Sequence, residues 1–279
     1  MKVNSYIKSF LVTMFIFGAL TTIADGAPPP YKPNALCVAL LDNSRSLEGG
    51  LYYSQKGGLD GSVVYVCNRR IRAYINYYVD RQEYSDRTFA TQELKEYITD
   101  SWYGEIGVGY RIGRIDSTKK IIEIFGGFGK GKLYQKEYLP LWPDRPRMLQ
   151  GDYKKLFAQL NIGYLNDVSE FGFGGRIVYL LYPKFNVVDY VNLGTIYEDE
   201  YPTEYQNVSF INIEPAVQAG IGPHWCRIFM QGGVSICLKP YSTSYDIAGI
   251  THPESFGVGG FFYRIGMLST FDFFPRKAK

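Results

Sequence analysis

Long runs of strict apolar–polar alternation dominate this chain, and a period of two is the signature of strands whose two faces meet different surroundings. In the clearest run Ile71, Ala73, Ile75, Tyr77 and Val79 share one face, while Arg72, Tyr74, Asn76, Tyr78 and Asp80 share the other. Trp102, Gly104, Ile106, Val108, Tyr110 and Ile112 alternate in the same way with Ser101, Tyr103, Glu105, Gly107, Gly109 and Arg111. Leu156 to Tyr164 and Ile228 to Ile236 repeat the pattern, and weaker alternation recurs near 47–53, 61–67, 120–130, 171–181, 209–220 and 257–268. That makes ten strands, most of nine residues or more, where a soluble strand has about five or six. The 25 Tyr, 18 Phe and 30 Gly suit strands and tight turns and suit long helices badly. The fold class is all-β.

The connections choose between architectures. From 68–70 onward they alternate short and long: 81–100 long, 113–119 short, 135–152 long, 166–170 short, 183–207 long, 222–225 short, 239–254 long. A soluble sandwich has no reason to sort its loops by parity. A ten-stranded antiparallel up-and-down transmembrane β-barrel does, with short periplasmic turns at one end and long extracellular loops at the other. Tilted spanning strands need about 9–11 residues, and lipid tolerates no open sheet edge. Pro215 falls in mid-strand, where it removes an N–H from the ladder, so a bulge or bend is expected there.

Once the chain is threaded through a membrane, the apolar face acquires two aromatic girdles. Tyr77, Trp102 and Tyr179 fall at the outer level, and Tyr110, Tyr164, Phe171 and Phe173 at the inner level, as headgroup regions select. The opposite face turns inward and carries Arg72, Glu105, Arg111, Glu123, Lys155, Arg176, Glu214, Arg227 and Arg264. Six bases and three acids could line a pore, but ten strands enclose a lumen that side chains largely fill, so a polar plug is expected. Pairing Tyr182 with Val208 across the 183–207 connection sets Arg176 opposite Glu214, and an ion pair between them is expected.

The remaining segments bear on export. Lys2 and Lys8 give a basic start, and an apolar run, Phe10 to Ile23, leads into Ala24-Asp25-Gly26, so residues 1–26 read as a secretory signal peptide. Residues 27–45, opening with Pro28-Pro29-Pro30, read as an extended periplasmic linker. The barrel is expected over 46–274, with a basic tail at 275–279. Cys226 and Cys237 stand at opposite ends of one strand, too far apart to bond, so Cys37 with Cys67 is the one disulfide considered.

Several segments carry a resemblance. Tyr31-Lys32-Pro33-Asn34, Glu48-Gly49-Gly50-Leu51-Tyr52, Gly104-Glu105-Ile106-Gly107-Val108-Gly109-Tyr110 and Phe125-Gly126-Gly127-Phe128-Gly129-Lys130-Gly131 follow one another in order. With Phe157-Ala158-Gln159-Leu160-Asn161-Ile162-Gly163-Tyr164 and Glu214-Pro215-Ala216, they resemble small outer-membrane β-barrel proteins of Bacteroidota over roughly residues 31–274. The resemblance implies a Gram-negative outer-membrane location and the barrel fold, and it implies no reaction.

Chemistry is sparse. A net charge of +3 without a basic cluster gives no case for nucleic acid, and no phosphate loop or other cofactor motif is present. A rim hydrolase, whether a protease or a lipid-modifying enzyme, would draw on Asp80, Asp86, Asp189, Asp246, His252 and Glu254. His252 precedes Pro253 and reads as part of a turn, and His224 falls in a periplasmic turn, so the expectation is that the chain is not an enzyme. Outer-membrane lipid and the barrel-insertion machinery are the implied partners. A protein or surface glycan bound by the extracellular loops is the first functional reading, since the 187–205 connection is rich in acidic residues and tyrosine. A narrow channel for small solutes is the second. Asp116-Ser117-Thr118 also matches an acceptor triplet for O-glycosylation, at Ser117 or Thr118.

Overall fold

Alternation on this scale leaves each strand with one face for lipid and one for its own kind, and a sheet in lipid must then close on itself. The computed structural model does close. It describes residues 46–272 apart from short segments at 55–57, 69, 88–93, 116–119, 140–141, 167, 192–198, 224, 248–249 and 257–259. The proposed signal peptide, the linker with Cys37, the 275–279 tail, Ser117, Thr118 and His224 lie outside the described residues.

Among the described residues twelve strands form: β1 (Ser46–Ser54), β2 (Leu59–Val66), β3 (Ile71–Arg87), β4 (Leu94–Ile115), β5 (Lys120–Leu139), β6 (Trp142–Leu165), β7 (Ser169–Val191), β8 (Asp199–Ile221), β9 (Cys226–Cys237), β10 (Tyr241–Ile247), β11 (Ile250–Phe256) and β12 (Gly260–Asp272). Ten of them make a closed antiparallel barrel in the order β1-β12-β9-β8-β7-β6-β5-β4-β3-β2, each beside its sequence neighbour except where β10 and β11 intervene. The seam joins first strand to last, with Ser46 opposite Asp272 and Ser54 opposite Arg264.

Three connections expected as long loops are paired strand instead. The β3–β4 ladder continues to Arg87 opposite Leu94, the β5–β6 ladder to Leu139 opposite Trp142, and the β7–β8 ladder to Val191 opposite Asp199. The fourth, 239–254, forms a separate two-stranded hairpin of β10 and β11. Beyond the lipid both faces of a strand meet water, so the period-two signal that marks a strand fades although the hydrogen bonds persist. The parity of the connections survives, as short turns and tall hairpins rather than turns and loops.

Pro215 produces no bulge. Gly175 lies opposite it on β7 without a shift, and on the β9 side the register is the same at Ile213–Ile236 and Ala216–Gly233. Irregularities fall elsewhere, between Arg111 and Gly113, Glu137 and Leu139, and Asp152 and Lys154.

Outward residues form a continuous apolar belt: Leu51, Val63, Ile75, Val108, Phe128, Leu156, Ile177, Ile228 and Met267 are all exposed, one from almost every barrel strand. Such a band around a closed sheet is the surface lipid requires. All seven aromatics assigned to girdles point outward, five of them exposed and Trp102 and Tyr164 half-buried. Among the described residues no helix is long and apolar enough to cross a membrane; the crossing elements are strands.

This topology puts the β10–β11 hairpin outside and the β6–β7 turn in the periplasm. In a background with the native cysteines replaced by Ser, Asp246→Cys is expected to react with an impermeant maleimide on intact cells. Val168→Cys is expected to react only after the outer membrane is permeabilised, and the reverse result would invert the barrel.

Candidate functional site

The inward face is where this sequence concentrates its polar chemistry. All nine charged residues named from the pattern are buried there, none more than 7% exposed. An ionised group in such a place must be paired and hydrogen-bonded, and the structure groups the charges into separate networks.

At mid-height Glu105 of β4 receives Lys155 Nζ of β6 at 2.9 Å and Arg176 Nη2 of β7 at 3.3 Å. The Tyr74 hydroxyl donates to the same carboxylate at 3.3 Å. Arg176 also donates to Gln159 Oε1 from Nε at 2.9 Å and Nη2 at 2.7 Å, and stacks on the Phe157 ring at 4.7 Å. Arg176 and Glu214 do stand opposite one another in register. The guanidinium nevertheless forms an ion pair across the lumen with Glu105, while Glu214 accepts from the Ser235 hydroxyl at 3.3 Å. An interior narrow enough to be bridged lets a long side chain choose a partner three strands away.

Nearer the short turns Glu123 binds Arg72 at 2.9 Å and Arg111 at 3.4 Å, tying β3, β4 and β5 together. A third network lies across β7, β8 and β9. There Glu170 takes Arg227 at 3.0 Å and Gln218 at 2.6 Å, Gln231 donates to Gln218 at 3.1 Å, and Arg227 reaches the Asn166 carbonyl at 3.0 Å. At the seam Arg264 of β12 pairs with Asp60 of β2 and donates to Ser54 of β1 at 3.0 Å.

Sequence reasoning missed several of these partners. Asp60 and Glu170 each lie just before the first residue assigned to their strands, and Glu48 is followed by two glycines that blur the alternation. Adding them, with Asp80 and Glu137, gives eight buried carboxylates against six buried bases among the described residues. The expected excess of positive charge is therefore absent, and with it the electrostatic basis for an anion-selective lumen. Asp80, assigned to the rim, is instead fully buried on the inward face of β3.

Above the mid-height network the lumen is aromatic. Tyr78 stacks on Tyr103 at 4.7 Å, Tyr153 leans on Tyr182 at 5.3 Å, and Tyr182 meets Phe185 and Phe210 edge-on at 5.2 and 5.9 Å. Glycines in the wall make room for these and neighbouring rings. A Cβ on Gly131 would come within 2.6 Å of Tyr153, and one on Gly107 within 2.5 Å of Tyr74.

A closed ten-stranded barrel with an apolar outer belt and its charges turned inward is an outer-membrane β-barrel, and the bacterial outer membrane is its location. Comparison with solved structures agrees. The chain is similar to the outer membrane protease OmpT from Escherichia coli, with 11% identity and a TM-score of 0.52 over 81% of this chain and 93% of that one. It also matches the translocator domain of the autotransporter NalP from Neisseria meningitidis, with 12% identity and a TM-score of 0.44 over 96% of this chain and 99% of that one. No family model matches the sequence, and no curated protein matches it.

The expectation that the chain is not an enzyme is corrected here, because a barrel of the same fold is a protease. At 11% identity the likeness is one of fold and assigns no catalytic residue. The sequence argument had also put His252 in a turn, whereas it lies within β11, opposite Tyr245.

Cys67 is exposed at the β2–β3 turn; its considered partner, Cys37, lies outside the described residues.

Glu105→Ala would strand both Lys155 and Arg176 in the lumen. Removing one partner of a buried pair costs about 3–5 kcal/mol, and that loss is expected in urea unfolding of the barrel in vesicles. Glu96→Ala, at an exposed position on the same strand, is expected to stay within about 0.5 kcal/mol of the parent. Gly131→Val is expected to cost about 1–3 kcal/mol by overpacking against Tyr153.

Proposed function

We propose that this barrel is closed to solutes and works through the surface its hairpins raise above the outer leaflet, where it binds a partner protein or a surface glycan. The observation that carries the reading is the height of those hairpins. Strands β3 to β8 have 17 to 24 residues, while crossing the bilayer takes about 9–11. From about a third of β3 to about three-fifths of β6 is left to build a paired platform outside. Its outward face carries both signs of charge, with Arg81 to Asp100 at 3.2 Å and Lys184 to Glu204 at 3.3 Å as exposed cross-strand pairs. Exposed pairs of this kind add little stability, and a surface of alternating charge suits a polar partner better than lipid.

The filled lumen supports the other half of the proposal. Balanced charges at mid-height and stacked tyrosines above them leave buried side chains where a channel would need water. The same reading takes residues 1–26 as the export signal of a Gram-negative cell, 27–45 as a periplasmic linker and 275–279 as a basic tail. The kinship with Bacteroidota barrels belongs to it as well and rests on the sequence motifs.

Two measurements test the proposal. In planar bilayers the reconstituted protein is expected to show no conductance steps at 100 mV, and discrete openings would replace the plug with a channel. A photo-crosslinking residue placed at Arg81 or Lys184 is expected to yield a discrete protein or glycan adduct on intact cells. Adducts to lipid alone would remove the recognition role.

A further inference from the structure

The outer wall carries a feature that a uniform lipid belt does not need. Successive cross-strand rows can be followed around β3 to β7. The lower row is apolar throughout: Ile75, Ile106, Phe128, Leu156 and Tyr179 lie side by side. One step outward the row reads Tyr77, Gly104, Lys130, Lys154, Leu181. One step further it reads Val79, Trp102, Lys132, Asp152, Lys184, with a carboxylate between two of its bases.

The middle row lacks that carboxylate. Lys130 and Lys154 face one another directly across β5 and β6, both exposed, and neither forms an ion pair with a described residue. Directly opposed side chains have Cβ atoms about 4.5–5.5 Å apart, and like charges so placed repel. Beside lipid, where the dielectric is low, the repulsion is harder to screen. An anion between the two ammonium groups reverses the sign. Next to Lys130, Gly104 has no side chain, and the wall there is hollowed into a groove of about 710 Å³ between Tyr77, Trp102, Phe128 and Leu156. Tyr77 and Trp102 stack at 6.4 Å to form one flank. The groove is apolar toward the membrane centre and cationic at its outer end, at the level of the aromatic girdle, where headgroups lie.

We propose that Lys130 and Lys154 hold the phosphate of an outer-leaflet lipid whose acyl chain lies in the groove over Gly104. The charge pattern fits that occupant alone: a neutral lipid leaves the lysines opposed, and a soluble anion leaves the groove empty. The site is independent of the hairpin surface, so either can fail without the other.

Native mass spectrometry of the purified barrel in dodecyl maltoside tests it, with lipid A and its dephosphorylated form as probes. The phosphorylated lipid is expected to bind at least about tenfold more tightly, as charge-assisted hydrogen bonds to phosphate imply. Lys130→Gln with Lys154→Gln is expected to abolish that preference. Gly104→Leu, which fills the groove and keeps both lysines, is expected to weaken both lipids at least about tenfold, as lost apolar burial implies. All three positions face outward, and a heat-modifiable gel shift equal to the parent's verifies that each variant is folded. Equal binding of the two lipids would overturn the proposal, as would a preference that survives the double variant. Unchanged binding by Gly104→Leu, or competition by inorganic phosphate at the same concentration as the lipid, would overturn the lipid assignment.

Discussion

Hydrocarbon offers a peptide group no hydrogen bond, and this structure follows from that refusal. Each barrel strand must find two neighbours, so the first and last strands have to meet. They do so through nine paired residues between β1 and β12, and Arg264, Asp60 and Ser54 draw side chains from β12, β2 and β1 into one contact at the seam. Closure makes an inside, and the inside then has to be filled. Dry cavities forfeit packing, and bare charges forfeit hydration.

The lumen meets both demands with different materials at different heights. Glu105 and Glu123 each collect two cations from other strands, and Glu170 takes Arg227 and Gln218, so that one carboxylate holds several staves of the barrel. At mid-height and above, rings fill the space beside glycines in the wall. Gly131 and Gly107 are needed because a tyrosine occupies the space a Cβ would take. A barrel of ten strands is small enough for such groups to reach across, which is why its interior behaves as a core.

With the inside committed to structure, the surfaces left for function are the hairpins and the wall. Extending paired strands past the membrane gives a stiffer platform than loops of the same length, because its backbone remains hydrogen-bonded. The wall is less uniform than lipid solvation requires, with Gly104 beside two opposed lysines. The hairpins rise beyond the aromatic girdle formed by Tyr77, Trp102 and Tyr179, and the two lysines lie at its level. The fold shared with a protease places no chemistry on that face by itself.

Parity is a local property of a strand, and the sequence alone determined nearly everything that depends on parity. It sorted Arg72, Tyr74 and Tyr78 inward and Ile75 and Tyr77 outward, counted ten crossings, and set Arg176 opposite Glu214 from one turn. What depends on a boundary was less legible: Asp60 and Glu170 were lost because each sits one residue before a run whose alternation starts late. The tall hairpins were read as loops, since water on both faces erases the period that lipid imposes. Only the tertiary structure decided which charges meet. Arg176 reaches Glu105 across the lumen rather than resting on its cross-strand neighbour, because closure brings β4 and β7 within the length of two side chains, and no spacing along the chain records that distance.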